Sequence, residues 1–240
     1  GTVGFVTSTD SSTGEFTIDD GTSNPINCVA PRVIPSVLNT NPTDNTWGVS
    51  VDSAFSMPVV GRPVMVTGIV GTNNSKMALK LRKQEDLANA NTLAGSIAFQ
   101  GVSGSKVSEI PVAFKLKDAS KTVTTRTLKT DIGGNYQIAV LPGTYNIAVK
   151  GTHFLQSIYK SPLDITTTSI SGIAFSLKNG DVNVDNAINM GDYVQMKKGW
   201  LARSGDALYS DLSDINHDYQ INMGDYVILK TNWLMNGDSF

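Results

Sequence analysis

The sequence has one cysteine, Cys28, two histidines, and no apolar run approaching the ~18–20 residues of a membrane-spanning helix. A single cysteine excludes an intramolecular disulfide, so a protein working outside the cell would need another means of stiffening. Charge is scarce: Asp, Glu, Lys and Arg make up 17 % of the chain and the formal net charge is −2. That balance gives no global pull towards nucleic acid or an anionic membrane. Aromatic residues are 8 %, but 40 % of the chain is apolar, which predicts packed domains rather than disorder. A length of 240 residues suits two or more of them. Residue 1 is Gly, and the text passes straight into a strand-like segment, Thr2–Val6. This reads as a mature or trimmed chain whose export signal is gone, and the expected location is extracellular, secreted or at the cell surface.

Charge and pattern divide the chain in three. Residues 1–92 hold 6 Lys/Arg against 8 Asp/Glu, residues 93–178 hold 9 against 4, and residues 179–240 hold 4 against 9. A basic middle therefore lies between more acidic ends. Head-to-tail attraction between copies is one use of such a pattern; metal-binding acids beside an ordinary surface is the other.

Residues 1–92 read as β. Phe16 and Ile18 alternate ahead of the turn Asp19-Asp20-Gly21, Val64 and Val66 follow Gly61-Arg62-Pro63, and Met77, Leu79 and Leu81 alternate with Ala78, Lys80 and Arg82. The order of these segments resembles the small OB-fold-like β-barrels of secreted multidomain bacterial proteins. The resemblance implies a structural barrel, or one that binds a ligand such as a sugar, with Trp47 as a candidate contact. Nucleic acid is not expected, because a net-negative region with few aromatics lacks the basic stacking groove that single strands need.

Residues 93–178 also read as β. Alternating rows occur at Ile97/Phe99, Val112/Phe114/Leu116, Tyr136/Ile138/Val140, Tyr145/Ile147/Val149 and Ile173/Phe175/Leu177, with a hairpin signal at Leu141-Pro142-Gly143-Thr144. The pattern Asp131, Gly134, Tyr136, Leu141, Pro142, Gly143, Tyr145 resembles the carboxypeptidase-regulatory-like family, related in shape to transthyretin and to collagen-adhesin B-type domains. The resemblance implies an antiparallel spacer sandwich. The Lys–Asn isopeptide bond of some such domains is not expected, since Gly172–Leu177 offers neither Asn nor Asp.

Residues 179–240 repeat themselves. Asp181-Val-Asn183-Val-Asp185-Asn-Ala187-Ile188-Asn189-Met190-Gly191-Asp192-Tyr193-Val194 returns 33 residues later as Asp214-Ile-Asn216-His-Asp218-Tyr-Gln220-Ile221-Asn222-Met223-Gly224-Asp225-Tyr226-Val227. Calcium takes six to eight oxygens, and a 12-residue loop supplies them at positions 1, 3, 5, 7, 9 and 12, position 7 through its carbonyl. The first loop places Asp181, Asn183, Asp185, Ala187, Asn189 and Asp192 there; the second places Asp214, Asn216, Asp218, Gln220, Asn222 and Asp225. Two calcium ions are expected. Oxygen-only donors argue against zinc, and magnesium demands a tighter octahedron. Two departures from the usual EF-hand loop stand out: position 12 is Asp, and position 6 is Asn186 or Tyr219 instead of Gly. Ile188 and Ile221, at position 8, are expected to pair the two loops with each other through a short β contact. A helix is expected from Asp192 and from Asp225, with apolar stripes at Tyr193, Met196, Trp200 and at Tyr226, Leu229, Trp233.

A tandem of loop plus one helix, with no helix before either loop, resembles a dockerin. That resemblance implies docking to cohesin-like β-sandwich domains. It places loop positions 10 and 11, here Met190-Gly191 and Met223-Gly224, against the partner. These differ from the Ser/Thr pairs of many cellulosomal dockerins.

No catalytic constellation stands out. His153, after Gly151-Thr152, reads as a surface residue, and His217 occupies a non-ligand position of the second loop. The expected architecture is therefore mainly β and multidomain: an OB-like β-barrel, an antiparallel β-sandwich and a small α-helical dockerin-like calcium module. The leading expectation is a non-enzymatic secreted assembly protein that docks onto a β domain of another molecule, with the next copy in an extracellular fibre as one such partner. The alternatives are a cellulosome-like adaptor and a carbohydrate-binding module.

Overall fold

Phe16 and Ile18, two residues apart, both point inwards at 1 % and 0 % exposure, as strand geometry requires of an alternating pair. They lie on one of seventeen strands in the computed structural model, which describes residues 2–21, 24–33, 50–51, 55–73 and 76–240. The strands are β1 (Thr2–Asp10), β2 (Glu15–Asp19), β3 (Ile26–Val29), β4 (Arg32–Val33), β5 (Ser50–Val51), β6 (Pro63–Val66), β7 (Ile69–Asn73), β8 (Lys76–Lys80), β9 (Leu87–Asn89), β10 (Asn91–Phe99), β11 (Pro111–Lys117), β12 (Val123–Lys129), β13 (Asn135–Val140), β14 (Thr144–Gly151), β15 (Ser157–Ile158), β16 (Leu163–Asp164) and β17 (Ile170–Leu177). Two helices close the chain, α1 (Met190–Lys198) and α2 (Met223–Thr231). Among the described residues, neither helix is long or apolar enough to cross a membrane.

The chain divides into two compact units. The first comprises residues 1–93 with 138–142 and 165–169; the second comprises 94–137, 143–164 and 170–240. In the first, a seven-stranded sheet runs β7-β8-β3-β2-β1-β6-β9, antiparallel except for β3 against β8. Its core gathers Val6, Phe16, Ile18, Cys28, Phe55, Val64, Val66, Leu79 and Leu81. Met77 departs from the expected row and is 64 % exposed, because it sits near the start of β8 beside the edge strand β7. Burial pushes the Cys28 thiol up to about 12, so it packs as an inert apolar group. Trp47 lies outside the described residues.

The second unit holds the sheet β12-β11-β14-β15, with β16 against β14, and the greater part of the sheet β13-β10-β17. β11 alternates buried and half-buried positions, and its Phe114 packs on Tyr136 at 4.6 Å and on Phe175 at 6.3 Å between ring centroids. The Asp131–Gly134 signature makes a turn. Asp131 Oδ1 accepts from the Gly133 and Asn135 N–H groups at 2.8 Å each. Gly134 has φ +79°, and a Cβ there would stand 2.3 Å from the Ile97 carbonyl oxygen.

Candidate metal centre

The two acidic loops belong to the second unit and share one core, in which Val182, Ile188, Met196, Ile215, Ile221 and Leu229 are fully buried together with Leu155 of the sandwich segment. That core fixes the loops from beneath. Ile188 N–H donates to Met235 O at 2.8 Å and Leu234 N–H donates to Ile188 O at 2.8 Å. Ile221 N–H donates to Ala202 O and Leu201 N–H to Ile221 O, both at 2.9 Å. The loops therefore do not pair with each other, as position 8 suggested. Each pairs with the segment that follows the other's helix, because α1 and α2 carry the chain across before it turns back.

Each loop draws three carboxylates together. Ligand oxygens of Asp181, Asp185 and Asp192 lie within 4.8 Å of one another, and so do those of Asp214, Asp218 and Asp225. In each trio the first and last are at most 1 % exposed and the middle one is open to solvent. The backbone bends to achieve this. Val184, Asn186, His217 and Tyr219, at loop positions 4 and 6, all take left-handed φ between 59° and 69°. The Tyr219 N–H is then aimed at Asp214 Oδ2 at 2.8 Å, and the Asn186 N–H at Asp181 Oδ2 at 3.0 Å. These hydrogen bonds offset a conformation that costs a non-glycine residue about 1 kcal/mol or more.

The remaining loop residues are in place around the trios. Asn183 Nδ2 donates to Asp185 Oδ2 at 2.9 Å and Asn216 Nδ2 to Asp218 Oδ2 at 3.0 Å. Ala187 and Gln220 follow the middle carboxylates, each donating its N–H to that Asp at 2.9 Å. Asn189 and Asn222 are the N-caps, so the helices start at Met190 and Met223, two residues ahead of the expected Asp192 and Asp225. Asp192 and Asp225 instead occupy the third helical position, where each accepts the N-cap N–H at 2.8 Å in a capping box. One carboxylate thus serves both the loop and the positive end of the helix dipole. Gly191 and Gly224 have a steric role in the same place. A Cβ would lie 2.9 Å from Asn183 Nδ2, or 3.0 Å from Asn216 Nδ2. Met190 and Met223, by contrast, are each 59 % exposed.

The donor set fits a hard cation. Every side-chain donor is oxygen-bearing, and Asp181 Oδ1 is buried with no hydrogen-bond partner. Burial pushes the carboxyls of Asp181 and Asp225 up, that of Asp225 to about 6, which is the electrostatic cost of assembling like charges out of water before a cation arrives.

Three residues around the site were not singled out in the sequence. Lys150, on β14, donates to Asp181 Oδ2 at 2.5 Å; Tyr209 donates its hydroxyl to Asp214 Oδ2 at 2.6 Å; Lys106 donates to the Tyr219 hydroxyl and lies over its ring. None belongs to the repeat, so no internal comparison could have found them. His153 is the fourth surprise. It is 2 % exposed rather than on the surface, because its carbonyl accepts the Gly180 and Asp181 N–H groups at 3.0 Å and draws the residue beneath the first loop.

No curated protein matches this chain. Two solved structures from Acetivibrio cellulolyticus are similar to it: a C-terminal interface mutant and an N-terminal interface mutant of a type II cohesin–X–dockerin complex. Each match has 22 % identity and covers 61 % of this chain and 97 % of the other, with TM-scores of 0.49 and 0.48. The family model for the dockerin type I domain matches residues 179–238, and the C-terminal segment with its two acidic loops is dockerin-like.

Proposed function

We propose that this is a non-catalytic extracellular assembly protein whose C-terminal module, held by two calcium ions, docks onto a cohesin-like β-sandwich domain of another molecule. Dockerin-type modules bind calcium and cohesins, and the dockerin type I family model matches residues 179–238 of this chain. The ligands are Asp181, Asn183, Asp185, the Ala187 carbonyl, Asn189 and Asp192 in the first loop. In the second they are Asp214, Asn216, Asp218, the Gln220 carbonyl, Asn222 and Asp225.

The observation that carries the reading is the duplicated exposed face beside each trio. Met190 and Val194 are 59 % and 50 % exposed, and Met223 and Val227 are 59 % and 53 %. Adaptable apolar side chains presented beside a rigid metal loop suit protein contact, with Met190-Gly191 and Met223-Gly224 nearest the partner. The charge pattern supports a second copy of this chain as that partner, since residues 93–178 carry net +5 and residues 179–240 net −5. An OB-like N-terminal region and the sandwich would then serve as spacer and receptor in a fibre.

The test measures solution size and negative-stain appearance of the purified chain in calcium and in chelator, beside binding to a panel of cohesin domains. Polymers that disperse in chelator support self-docking. A chain that stays monomeric but binds a cohesin in calcium supports the adaptor reading. The absence of both assembly and cohesin binding in calcium would overturn the docking function.

A further inference from the structure

Asp181 and Asp214 hold the same place in their loops, yet different groups secure their outer oxygens. Asp214 Oδ2 is held from within the module, by the Tyr209 hydroxyl at 2.6 Å and the Tyr219 N–H at 2.8 Å. Asp181 Oδ2 is held by the Asn186 N–H at 3.0 Å and by Lys150 Nζ at 2.5 Å, and Lys150 comes from β14 of the sandwich. Lys150 Nζ also donates to Phe154 O at 2.9 Å, so the ammonium is fixed in place. It is largely buried, at 18 % exposure against 0 % for Asp181. Among the described residues, no ion pair reaches the second trio.

We propose that Lys150 is a positioning residue of the first calcium site, a built-in cation that keeps this loop assembled when calcium is absent and lowers its calcium affinity below that of the second loop. The first loop has three carboxylates and one ammonium, a local charge of −2, whereas the second has three carboxylates and a neutral phenol, a local charge of −3. Two positive charges close to one carboxylate cluster repel, so the ammonium costs the incoming ion part of its attraction, about tenfold in affinity across a few ångströms of screened protein. The same ammonium neutralises the repulsion that would spread the empty loop. The orphaned Asp181 Oδ1 is the oxygen left for the metal, since Oδ2 is already saturated. The two loops therefore fill in order, the second first, and the sandwich reports on the first through one side chain.

This inference rests on the calcium reading above, and the experiment separates their failures. Calcium is titrated calorimetrically into the chelator-treated full chain and into Lys150→Met, and thermal midpoints of both are recorded in excess chelator and in excess calcium. A wild-type chain that takes up no calcium would overturn the calcium reading itself. With calcium bound, the expectation is two wild-type sites differing about tenfold in affinity, the weaker of which tightens in Lys150→Met. The variant's midpoint falls by several degrees in chelator and by less in calcium, so its calcium-induced rise is larger than wild type's. Lys150→Arg, which keeps the charge, behaves like wild type, and Tyr209→Phe leaves the weaker site unchanged. Equal losses of midpoint in chelator and in calcium, with both affinities unaltered, would make Lys150 a packing strut and overturn the proposal. If Lys150→Met does not fold in either medium, Lys150→Gln, which keeps a donor without the charge, carries the same comparison.

Discussion

The imidazoles of His153 and His217 meet with their Nε2 atoms 3.3 Å apart and their ring centroids 4.9 Å apart, joining the sandwich segment to the second loop. One ring must donate and the other accept, so the accepting ring is neutral as packed.

Burial, then the neighbouring His217 and Lys150, hold His153 down at about 3, well below an ordinary histidine near 6.5. A base with a depressed folded pKa stabilises the fold fully above its unfolded pKa, and that contribution is lost as pH falls from 6.5 towards 3. The slope approaches about 1.4 kcal/mol per pH unit, so about 1.6 kcal/mol goes between pH 6.5 and 5. Urea denaturation in saturating calcium is expected to show this loss in wild type and a flatter acid limb in His153→Phe. Identical limbs in the two proteins would remove His153 as the source.

Asp225 runs the other way. Its carboxyl, raised to about 6 by burial first, favours the protonated form in the calcium-free fold. A raised folded carboxyl makes that fold lose stability as pH rises from about 4 through 6. Calcium needs the carboxylate, so its binding below pH 6 expels a proton. The affinity of the second loop is expected to fall about tenfold per unit below pH 6, and calorimetry in two buffers of different ionisation enthalpy measures the proton released. No buffer dependence at pH 5 would contradict the assignment.

The crossed pairing of the loops gives a third expectation. Removing residues 235–240 deletes the Met235 carbonyl that accepts from Ile188 and the Gly237 N–H that donates to Asn186 O at 2.9 Å. It also deletes the Asp238 carbonyl that accepts from Gln156 and from Asn186. The first loop should lose about tenfold in calcium affinity and the second almost nothing, since each lost bond supports only the first and a net hydrogen bond contributes roughly 0.5–1.5 kcal/mol. A loss confined to the second loop would mean that the pairing is not crossed in solution.

Gly224→Ala sets two effects against each other. Alanine in a helix is normally better than glycine by about 1 kcal/mol. Here the added methyl would lie 3.0 Å from Asn216 Nδ2 and 3.1 Å from Asn222 Oδ1, both side chains of the proposed ligand set. We expect the helix gain to appear in chelator as a higher midpoint, and calcium affinity of the second loop to drop several-fold. An unchanged affinity would show that the Asn216 side chain simply moves aside.

The loops were legible in the sequence because their spacing is local: three carboxylates within twelve residues, written twice, and the structure brings Asp181, Asp185 and Asp192 together. The sandwich strands were legible for a similar reason, since Phe114 and its neighbours alternate with the period of the pleat. Met77 was misplaced because alternation reports two faces of a strand without saying whether both ends of the strand are covered.

What the sequence by itself determined about this protein is the mainly β build, the dockerin-type repeat and the three carboxylates that converge in each loop, all encoded at short range. Only the tertiary structure decided that Ile188 pairs beyond α2 and Ile221 beyond α1, that His153 is buried against His217, and that Lys150 rather than a second tyrosine secures Asp181. Those contacts join residues 19 to 64 positions apart. No period or spacing encodes such partners; they are selected by which surfaces remain to be covered once the local elements have formed.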